Sequence, residues 1–191
     1  KLLVKDVADV ELSAKLTPDY TIGCKRILLS SEYLKTMTKA NVELITAGIK
    51  RVTASGIETN DGVEHPVDAI IYGTGFAATE FLAPMRITGR NGVDLNDAWQ
   101  KGAQAYLGMS VPNFPNFFML YGPNTNLGHN SIVYMLESQI AHVLRCYQAM
   151  QATDSSTIEV DANRYQIFNK KIQQRLANTV WHGCKSWYVD E

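Results

Sequence analysis

The sequence contains few cysteines and no excess of either charge. Its 191 residues include three cysteines at widely separated positions and carry a formal net charge of -1. An odd number of cysteines without paired spacing predicts reduced thiols and a cytoplasmic protein. The balanced charge lacks the basic excess that is typical of proteins that bind nucleic acid or anionic membranes.

Long hydrophobic runs are also missing. No apolar stretch approaches the roughly 20 residues that a membrane-spanning helix needs, and no signal-peptide pattern opens the chain. The chain starts at Lys1 rather than at methionine and stops just after an aromatic motif, so we expect that both ends are cut from a longer protein. Hydrophobic residues still make up 46% of the sequence, which is enough for a packed core.

Three helices are expected from capping residues and hydrophobic periodicity. The first covers residues 7–16, the second starts at Ser131 with Asn130 or Ser131 as its N-cap, and Asp161 caps the last. The expected buried face of the second helix is Ile132, Leu136, Ile140, Val143, Tyr147 and Met150. The expected buried stripe of the last helix is Tyr165, Phe168, Ile172 and Leu176.

Short strands are predicted at 42–46, 49–53, 56–59 and 63–65. Asn60-Asp61-Gly62 supplies a hairpin turn before the last of them.

Residues 68–76, which we call the glycine turn, contain a further apolar run that ends in glycine. The run from Ala69 to Tyr72 predicts a buried parallel strand, and Gly73-Thr74-Gly75 predicts a tight turn where a cofactor or another backbone approaches closely. The turn formally matches the dinucleotide fingerprint G-x-G-x-x-A. A true fingerprint must open a long helix, which Pro84, Gly89 and Gly92 interrupt. We therefore prefer a structural turn beside a cofactor to a cofactor cradle.

A second apolar run, residues 117–121, reads as a strand and leads into a loop from Gly122 to Ser131. Because a helix follows, free backbone N–H groups and the positive end of the helix dipole point at this loop. Such an end binds phosphate or stabilises negative charge on a cofactor ring. An ordinary capped connection is the alternative interpretation.

Lys25 and Arg26 form an adjacent basic pair with two interpretations. It is either a solvated surface pair or an anion site, in which the guanidinium fork and the ammonium bind oxyanions. Near the end of the chain, His182-Gly183-Cys184 offers too few ligands for zinc, which needs three or four. We therefore expect no metal.

Many motifs occur in an order that resembles one family, the class B flavoprotein monooxygenases, and within it the Baeyer–Villiger monooxygenases most closely. The motifs are Leu16-Thr-Pro-Asp-Tyr20, Gly23-Cys-Lys-Arg26, Tyr72-Gly-Thr-Gly-Phe76, Asp97-Ala-Trp99, Ala105-Tyr-Leu-Gly108, Phe114-Pro-Asn116, Tyr121-Gly-Pro-Asn-Thr-Asn-Leu-Gly-His129 and Ser186-Trp-Tyr188. The resemblance covers nearly the whole chain and points to the C-terminal portion of such an enzyme.

The resemblance implies an α/β fold, namely the C-terminal part of a flavoprotein with two Rossmann-like domains that bind FAD and NAD(P), with a helical C-terminal region. Residues 1–67 would end the NADPH-binding domain. Residues 68–191 would be the returning part of the FAD-binding domain. The glycine turn would be the hinge between them, with Gly73 where the family has alanine.

The resemblance also implies an activity, in which NADPH reduces FAD and a C4a-peroxyflavin transfers one oxygen atom of O₂ to a ketone or to a sulfur or nitrogen centre. Arg26 would be the catalytic residue. Lys25 would bind the 2′-phosphate of NADPH, and Trp187 the nicotinamide ribose. The other cofactor-binding residues would be Gly73, Thr74, Gly75, Asn124, Asn126, Leu127, Asn130 and Ser131.

Two alternatives remain open. One is a stand-alone or oligomerisation module of the same fold without enzymatic activity, and the other is a related FAD/NAD(P)-linked reductase. The partners expected for the chain are a ketone, sulfide or amine substrate, a missing N-terminal part of the same protein, and a second copy of the chain through exposed apolar surface. By itself the chain should bind FAD poorly and be inactive.

Overall fold

The chain divides into two compact units. The computed structural model describes residues 5–126, 130–183, 185–186 and 189. Unit 1 consists of residues 1–21 and 27–76, and unit 2 of residues 22–26 and 77–191. No helix in the described part of the chain is long and apolar enough to cross a membrane.

Unit 1 contains short helices and a small sheet. Helix α1 is Val10–Leu16, helix α2 is Tyr33–Met37, and the strands are β1 (Ile49–Val52), β2 (Gly56–Thr59) and β3 (Glu64–Pro66). The Asp9 carboxylate accepts a hydrogen bond from the backbone N–H of Leu12 at 2.9 Å. This cap satisfies one of the free donors at the start of α1.

The sheet is an antiparallel meander in the order β1-β2-β3. The predicted turn is confirmed, since Gly62 has a φ of 83° and donates its N–H to the Thr59 carbonyl at 2.9 Å. Across β1 and β2, Glu58 accepts from both Lys50 and Arg51 at 2.6 Å. These cations lower the pKa of Glu58 through their hydrogen bonds. The predicted strand at 42–46 is wrong, because those residues form no strand.

The prediction of a buried strand at Ala69–Tyr72 is wrong as well. Residues 69–72 have no regular secondary structure, and both Ile71 and Phe76 are 95% exposed. A parallel strand is buried only when neighbouring strands and helices cover it. No described strand pairs with this segment, so its apolar side chains face outward.

Unit 2 is mainly helical and irregular. It contains a 3₁₀ turn at Arg90–Gly92 and the helices α3 (Leu95–Ala98), α4 (Ile132–Ala152) and α5 (Ala162–Leu176). The predicted strand at 117–121 is wrong, because the segment pairs with a turn instead of a strand. The Met119 N–H donates a hydrogen bond to the carbonyl of Met109, which lies in a turn, at 2.9 Å.

One hydrophobic core holds unit 2 together. The indole N–H of Trp99 donates to the Gln104 carbonyl at 2.9 Å, and its ring meets the edge of Phe81. A buried indole thus keeps its hydrogen bond while its ring fills the core. The buried members of this core are Leu95, Trp99, Ala105, Val111, Phe114 and Met119.

Helix α4 buries the predicted face only in part. Ile132, Leu136, Val143 and Met150 are partly buried, as predicted. Ile140 and Tyr147, expected in the core, are exposed, whereas Gln139 is only 6% exposed. The helix is apolar on two sides, so periodicity alone does not determine how deeply each residue is buried. The exposed side forms a second apolar stripe that includes Val133 and Leu144.

The predicted packing of α5 is confirmed. The Asp161 side chain caps the helix by accepting from the Arg164 N–H at 2.9 Å. The ring of Phe168 lies 5.1 Å from that of Tyr106, edge to face. All four residues of the predicted stripe are partly buried. Burial also raises the pKa of the Tyr165 hydroxyl.

The expectation that all three cysteines are reduced is wrong. Cys24 is disulfide-bonded and 1% exposed, whereas Cys146 carries a free thiol. The spacing of cysteines along the sequence does not determine which ones approach each other in the fold. Cys24 lies in the short segment 22–26, which joins unit 2 although its flanking residues belong to unit 1.

Candidate functional site

The loop that follows residues 117–121 presents two asparagine side chains. We call residues 121–126 the asparagine loop. Gly122, Pro123 and Thr125 are buried, whereas Asn124 and Asn126 are exposed. The Thr125 hydroxyl donates to the Gly122 carbonyl at 2.6 Å. The buried residues therefore anchor the loop while both carboxamides remain accessible.

Close packing of two turns fixes the asparagine loop. Gly108 has a φ of 71°, and a Cβ atom there would overlap the Thr125 methyl group. A Cβ atom on Gly122 would overlap the Gly108 carbonyl oxygen. Gly108 is thus required by its backbone conformation and by the Thr125 side chain, and Gly122 by a contact with another backbone.

The start of α4 carries the predicted cap. The Ser131 hydroxyl accepts from the Tyr134 N–H at 3.3 Å, and the Asn130 side chain accepts from the Ser131 N–H at 2.8 Å. The helix has 21 residues, which gives it a full dipole with its positive end at Ser131. Leu127, another predicted cofactor contact, lies outside the described residues.

A cavity of about 480 Å³ adjoins the asparagine loop within unit 2. Asn124 and Asn126 line it together with apolar and polar side chains from other parts of the unit. Its other lining residues include Phe81, Lys101, Gln173, Leu176 and Trp181. Apolar walls with a few polar groups are typical of sites that bind small molecules.

Lys25 and Arg26 are exposed and belong to the same unit as the asparagine loop. Their segment contacts the C-terminal region near Gly23, where a Cβ atom would lie 3.8 Å from a methyl group of Val180. The basic pair and the asparagine loop, which are separated by about a hundred positions in the sequence, thus fold into one compact unit. Trp187, the predicted nicotinamide contact, lies outside the described residues.

Gly73, Thr74 and Gly75 belong to unit 1. No atom lies within 4 Å of a Cβ built on Gly73 or Gly75, and Gly75 has a φ of 79°. The boundary between the units falls directly after this turn, between Phe76 and Ala77. Glycine is therefore needed at position 75 by its backbone conformation, and the turn lies at the joint between the units.

Sequence reasoning missed Gln139. Its side-chain oxygen accepts from the Tyr121 N–H at 3.0 Å, and its side-chain nitrogen donates to the Leu107 carbonyl at 3.2 Å. The available signal was a polar residue one helical turn from Leu136 and Val143, on the predicted buried face. Hydrophobic periodicity does not count an amide as a core residue.

Charged groups hold the rim of unit 2. The Glu159 carboxylate accepts from the Asn113 N–H and, at 3.0 Å, from Arg90. These two hydrogen bonds lower the pKa of Glu159.

Among the described residues, no three His, Cys, Asp or Glu side chains are grouped so that they could hold a metal ion.

Comparison with known proteins identifies close relatives. No protein-family model matches the chain. It is 50% identical over 187 residues to a Baeyer-Villiger monooxygenase of Pseudomonas aeruginosa, which covers 97% of this chain and 36% of the relative. A Baeyer-Villiger monooxygenase of Streptomyces coelicolor is 39% identical over 187 residues, or 96% of this chain and 36% of the relative. The chain is homologous to the C-terminal part of class B flavoprotein monooxygenases.

Solved structures of class B monooxygenases agree with this relationship. A steroid monooxygenase bound to NADP superimposes with a TM-score of 0.87 at 30% identity, over 99% of this chain and 37% of that one. OTEMO in complex with FAD and NADP gives 0.86 at 31% identity, over 100% and 36%. The chain thus spans about a third of its relatives. The resemblance inferred from the motifs is confirmed, and the α/β content agrees with these neighbours.

The residues of the asparagine loop fit the polar edge of a flavin. That edge carries carbonyl oxygens and gains negative charge on reduction, so it needs hydrogen-bond donors and a positive potential. Asn124 and Asn126 offer exposed carboxamides, and the start of α4 offers its dipole. The pyrophosphate of FAD needs a glycine cradle, and the glycine turn opens no helix in this structure.

Proposed function

We propose that this chain is part of an FAD- and NADPH-dependent monooxygenase of the Baeyer–Villiger type. The enzyme transfers one oxygen atom of O₂ to a ketone or to a sulfur- or nitrogen-containing substrate. The observation that carries the proposal is the 50% identity to a Baeyer-Villiger monooxygenase over 97% of the chain. The exposed carboxamides of Asn124 and Asn126 and the capped N-terminus of α4 support it as well.

Bound FAD, once reduced by NADPH, supplies the activation of dioxygen. The chain supplies position and charge. Arg26 offers its guanidinium to the oxygen atom that carries negative charge during transfer. Asn124, Asn126, Leu127, Asn130 and Ser131 orient the flavin ring and direct the positive end of α4 at its polar edge.

The remaining proposed contacts concern NADPH and the joint between the units. Lys25 binds the 2′-phosphate, and Trp187 contacts the nicotinamide ribose. Gly73, Thr74 and Gly75 form the hinge between residues 1–67, the end of the NADPH-binding domain, and residues 68–191, the returning part of the FAD-binding domain. The remainder of the protein and a second copy of the chain are proposed to cover exposed side chains such as Ile71.

A cytoplasmic location is part of the proposal. NADPH, the reductant required, suits that compartment. The disulfide at Cys24 must then be stable in a reducing environment, because disulfides are rare in cytosolic proteins.

Substitution of the adjacent residues Lys25 and Arg26 in the full-length enzyme tests the assignment. Arg26→Ala should continue to oxidise NADPH but release hydrogen peroxide instead of oxygenated product, measured with isotopically labelled dioxygen. Unchanged product formation in this variant would exclude the catalytic role of Arg26. NADPH oxidation without any oxygenated product in the wild-type enzyme would favour the related reductase. A wild-type protein that neither binds flavin nor oxidises NADPH would favour the module without activity.

Lys25→Ala should raise the KM for NADPH and leave the KM for NADH unchanged, because NADH lacks the 2′-phosphate. A charge-assisted hydrogen bond is worth about 1.5–3 kcal/mol, which corresponds to a roughly 10–100-fold change. Equal effects on both nucleotides would exclude a phosphate contact. The neighbouring Arg26→Ala variant is the matched control, since it should leave both KM values near those of the wild type.

A further inference from the structure

The side chain of Gln139 is the polar link between α4 and the asparagine loop. It is 6% exposed and makes two hydrogen bonds, one as acceptor from the Tyr121 N–H and one as donor to the Leu107 carbonyl. Its donor and its acceptor are thus both used. Buried amides are retained where both functions have a partner.

Both partners of Gln139 lie in turns with left-handed backbone. Leu107 has a φ of 54° and Tyr121 a φ of 58°. For residues with a side chain, this conformation persists only where surrounding contacts enforce it. The amide of Gln139 meets the first turn at its carbonyl and the second at its N–H, so it holds the two turns at a fixed separation.

The second turn opens the asparagine loop. The Tyr121 hydroxyl donates to the Asn126 side chain at 2.7 Å, which connects the residue held by Gln139 to a predicted cofactor contact. Asn124 lies between them and has a φ of 60°. Ser131, at the start of the same helix as Gln139, is two turns away along α4. Gln139 therefore links the asparagine loop to the helix that starts at Ser131. Under the proposed function, the loop and the start of this helix both face the polar edge of the flavin ring.

We infer that Gln139 is a positioning residue for the flavin, which sets the asparagine loop relative to the N-terminus of α4 through its paired hydrogen bonds to Leu107 and Tyr121. The inference rests on the proposed function for the identity of the ligand. The positioning itself is a property of the chain and can be measured without flavin.

Two variants of the full-length protein separate hydrogen bonding from space filling. Gln139→Met keeps the length and volume of the side chain but removes both hydrogen bonds. Gln139→Glu keeps the acceptor but, when ionised, presents oxygen to the Leu107 carbonyl. A protonated carboxyl group has one O–H donor and one acceptor, so acid should restore both bonds. Burial raises the pKa of such a carboxyl group and makes this restoration accessible at mild pH.

The primary readout is the protection of the Tyr121 amide against hydrogen exchange. Gln139→Met should lose roughly tenfold in protection, and Gln139→Glu should lose as much at pH 8 but recover at pH 5. His142 is a titratable neighbour one turn further along α4. Gln139→Met is therefore measured at both pH values to subtract its contribution. Gln148→Met, an exposed position on the same helix, should retain wild-type protection.

The second readout is the FAD dissociation constant together with the flavin fluorescence. Both should change in parallel with protection, with about tenfold weaker binding in Gln139→Met. Wild-type protection in Gln139→Met would overturn the inference, as would equal protection of Gln139→Glu at both pH values. Weaker FAD binding with unchanged protection would also overturn it. If the wild-type protein binds no flavin, the proposed function fails, and the Tyr121 amide still decides whether Gln139 holds the loop.

Discussion

The glycine turn and the asparagine loop follow similar sequence patterns and have opposite structural settings. Each contains a glycine directly after a tyrosine that ends an apolar run, Gly73 in the first and Gly122 in the second. The glycine turn is exposed, with Phe76 95% accessible and open space around Gly73. In the asparagine loop, Gly122 packs against the Gly108 carbonyl oxygen, and the Gln139 side chain accepts a hydrogen bond from the Tyr121 N–H. The same local pattern therefore needs partners elsewhere in the chain before it becomes a rigid site.

The largest expected effect is a loss of stability, measured by comparing substitutions at two phenylalanines. Phe114→Ala should destabilise unit 2 by about 3–5 kcal/mol, because it leaves a cavity in the core, where Phe114 is 3% exposed. Phe76→Ala should change stability by less than about 0.5 kcal/mol. Urea unfolding followed by the fluorescence of the three tryptophans, all of which belong to unit 2, measures the first. Far-UV circular dichroism follows unit 1 for the second. Similar losses in both variants would show that the glycine turn is packed in solution.

A pair of glycines tests the same comparison with opposite signs. Gly122→Ala should destabilise the chain by about 1–3 kcal/mol, since its Cβ atom would overlap the Gly108 carbonyl. Gly73→Ala has room and should stabilise by about 0.4–1 kcal/mol, because alanine restricts the unfolded chain. Denaturant midpoints of the flavin-free protein provide the measurement. A loss of stability in Gly73→Ala would mean that something covers the turn.

The smallest expected effect concerns the rim of unit 2 and depends on pH. The lowered pKa of Glu159 means that its ionised form stabilises the fold above the unfolded pKa of about 4.3. That contribution is lost as the pH falls through the lower pKa of the folded state. Glu159→Gln should therefore cost about 1 kcal/mol at pH 7 and little at pH 3.

The control for this experiment is Glu137→Gln, an exposed carboxyl group on α4. Its effect should be small at both pH values. None of the ion pairs among the described residues involves the glycine turn. Lowering the pH should consequently leave the conformation of the glycine turn unchanged. A conformational change there at pH 3 would contradict the contrast between the two regions.

Local signals in the sequence predicted much of the fold. The caps at Ser131 and Asp161, the hairpin turn before Val63, and the stripe of α5 all depend on residues close together in the chain. Strands at 69–72 and 117–121 failed, because a strand depends on partners that its own residues do not specify.

The candidate site divides in the same way. The motifs suggested Asn124 and Ser131, and in the structure Asn124 is exposed and Ser131 caps α4. Gln139 and Gly108 could not be predicted, since their importance arises from contacts between turns that are distant in sequence. The disulfide of Cys24 escaped prediction for the same reason.

Residues 22–26 join unit 2, although the chain on both sides of them belongs to unit 1. The polypeptide therefore crosses between the units three times, after Thr21, after Arg26 and after Phe76. No single peptide-bond cleavage can separate the two units, and a polypeptide that starts at Ala77 lacks the segment that carries Arg26. Unit 2 can finish folding only when a segment from the early part of the chain has docked, which makes its completion a long-range and comparatively slow event.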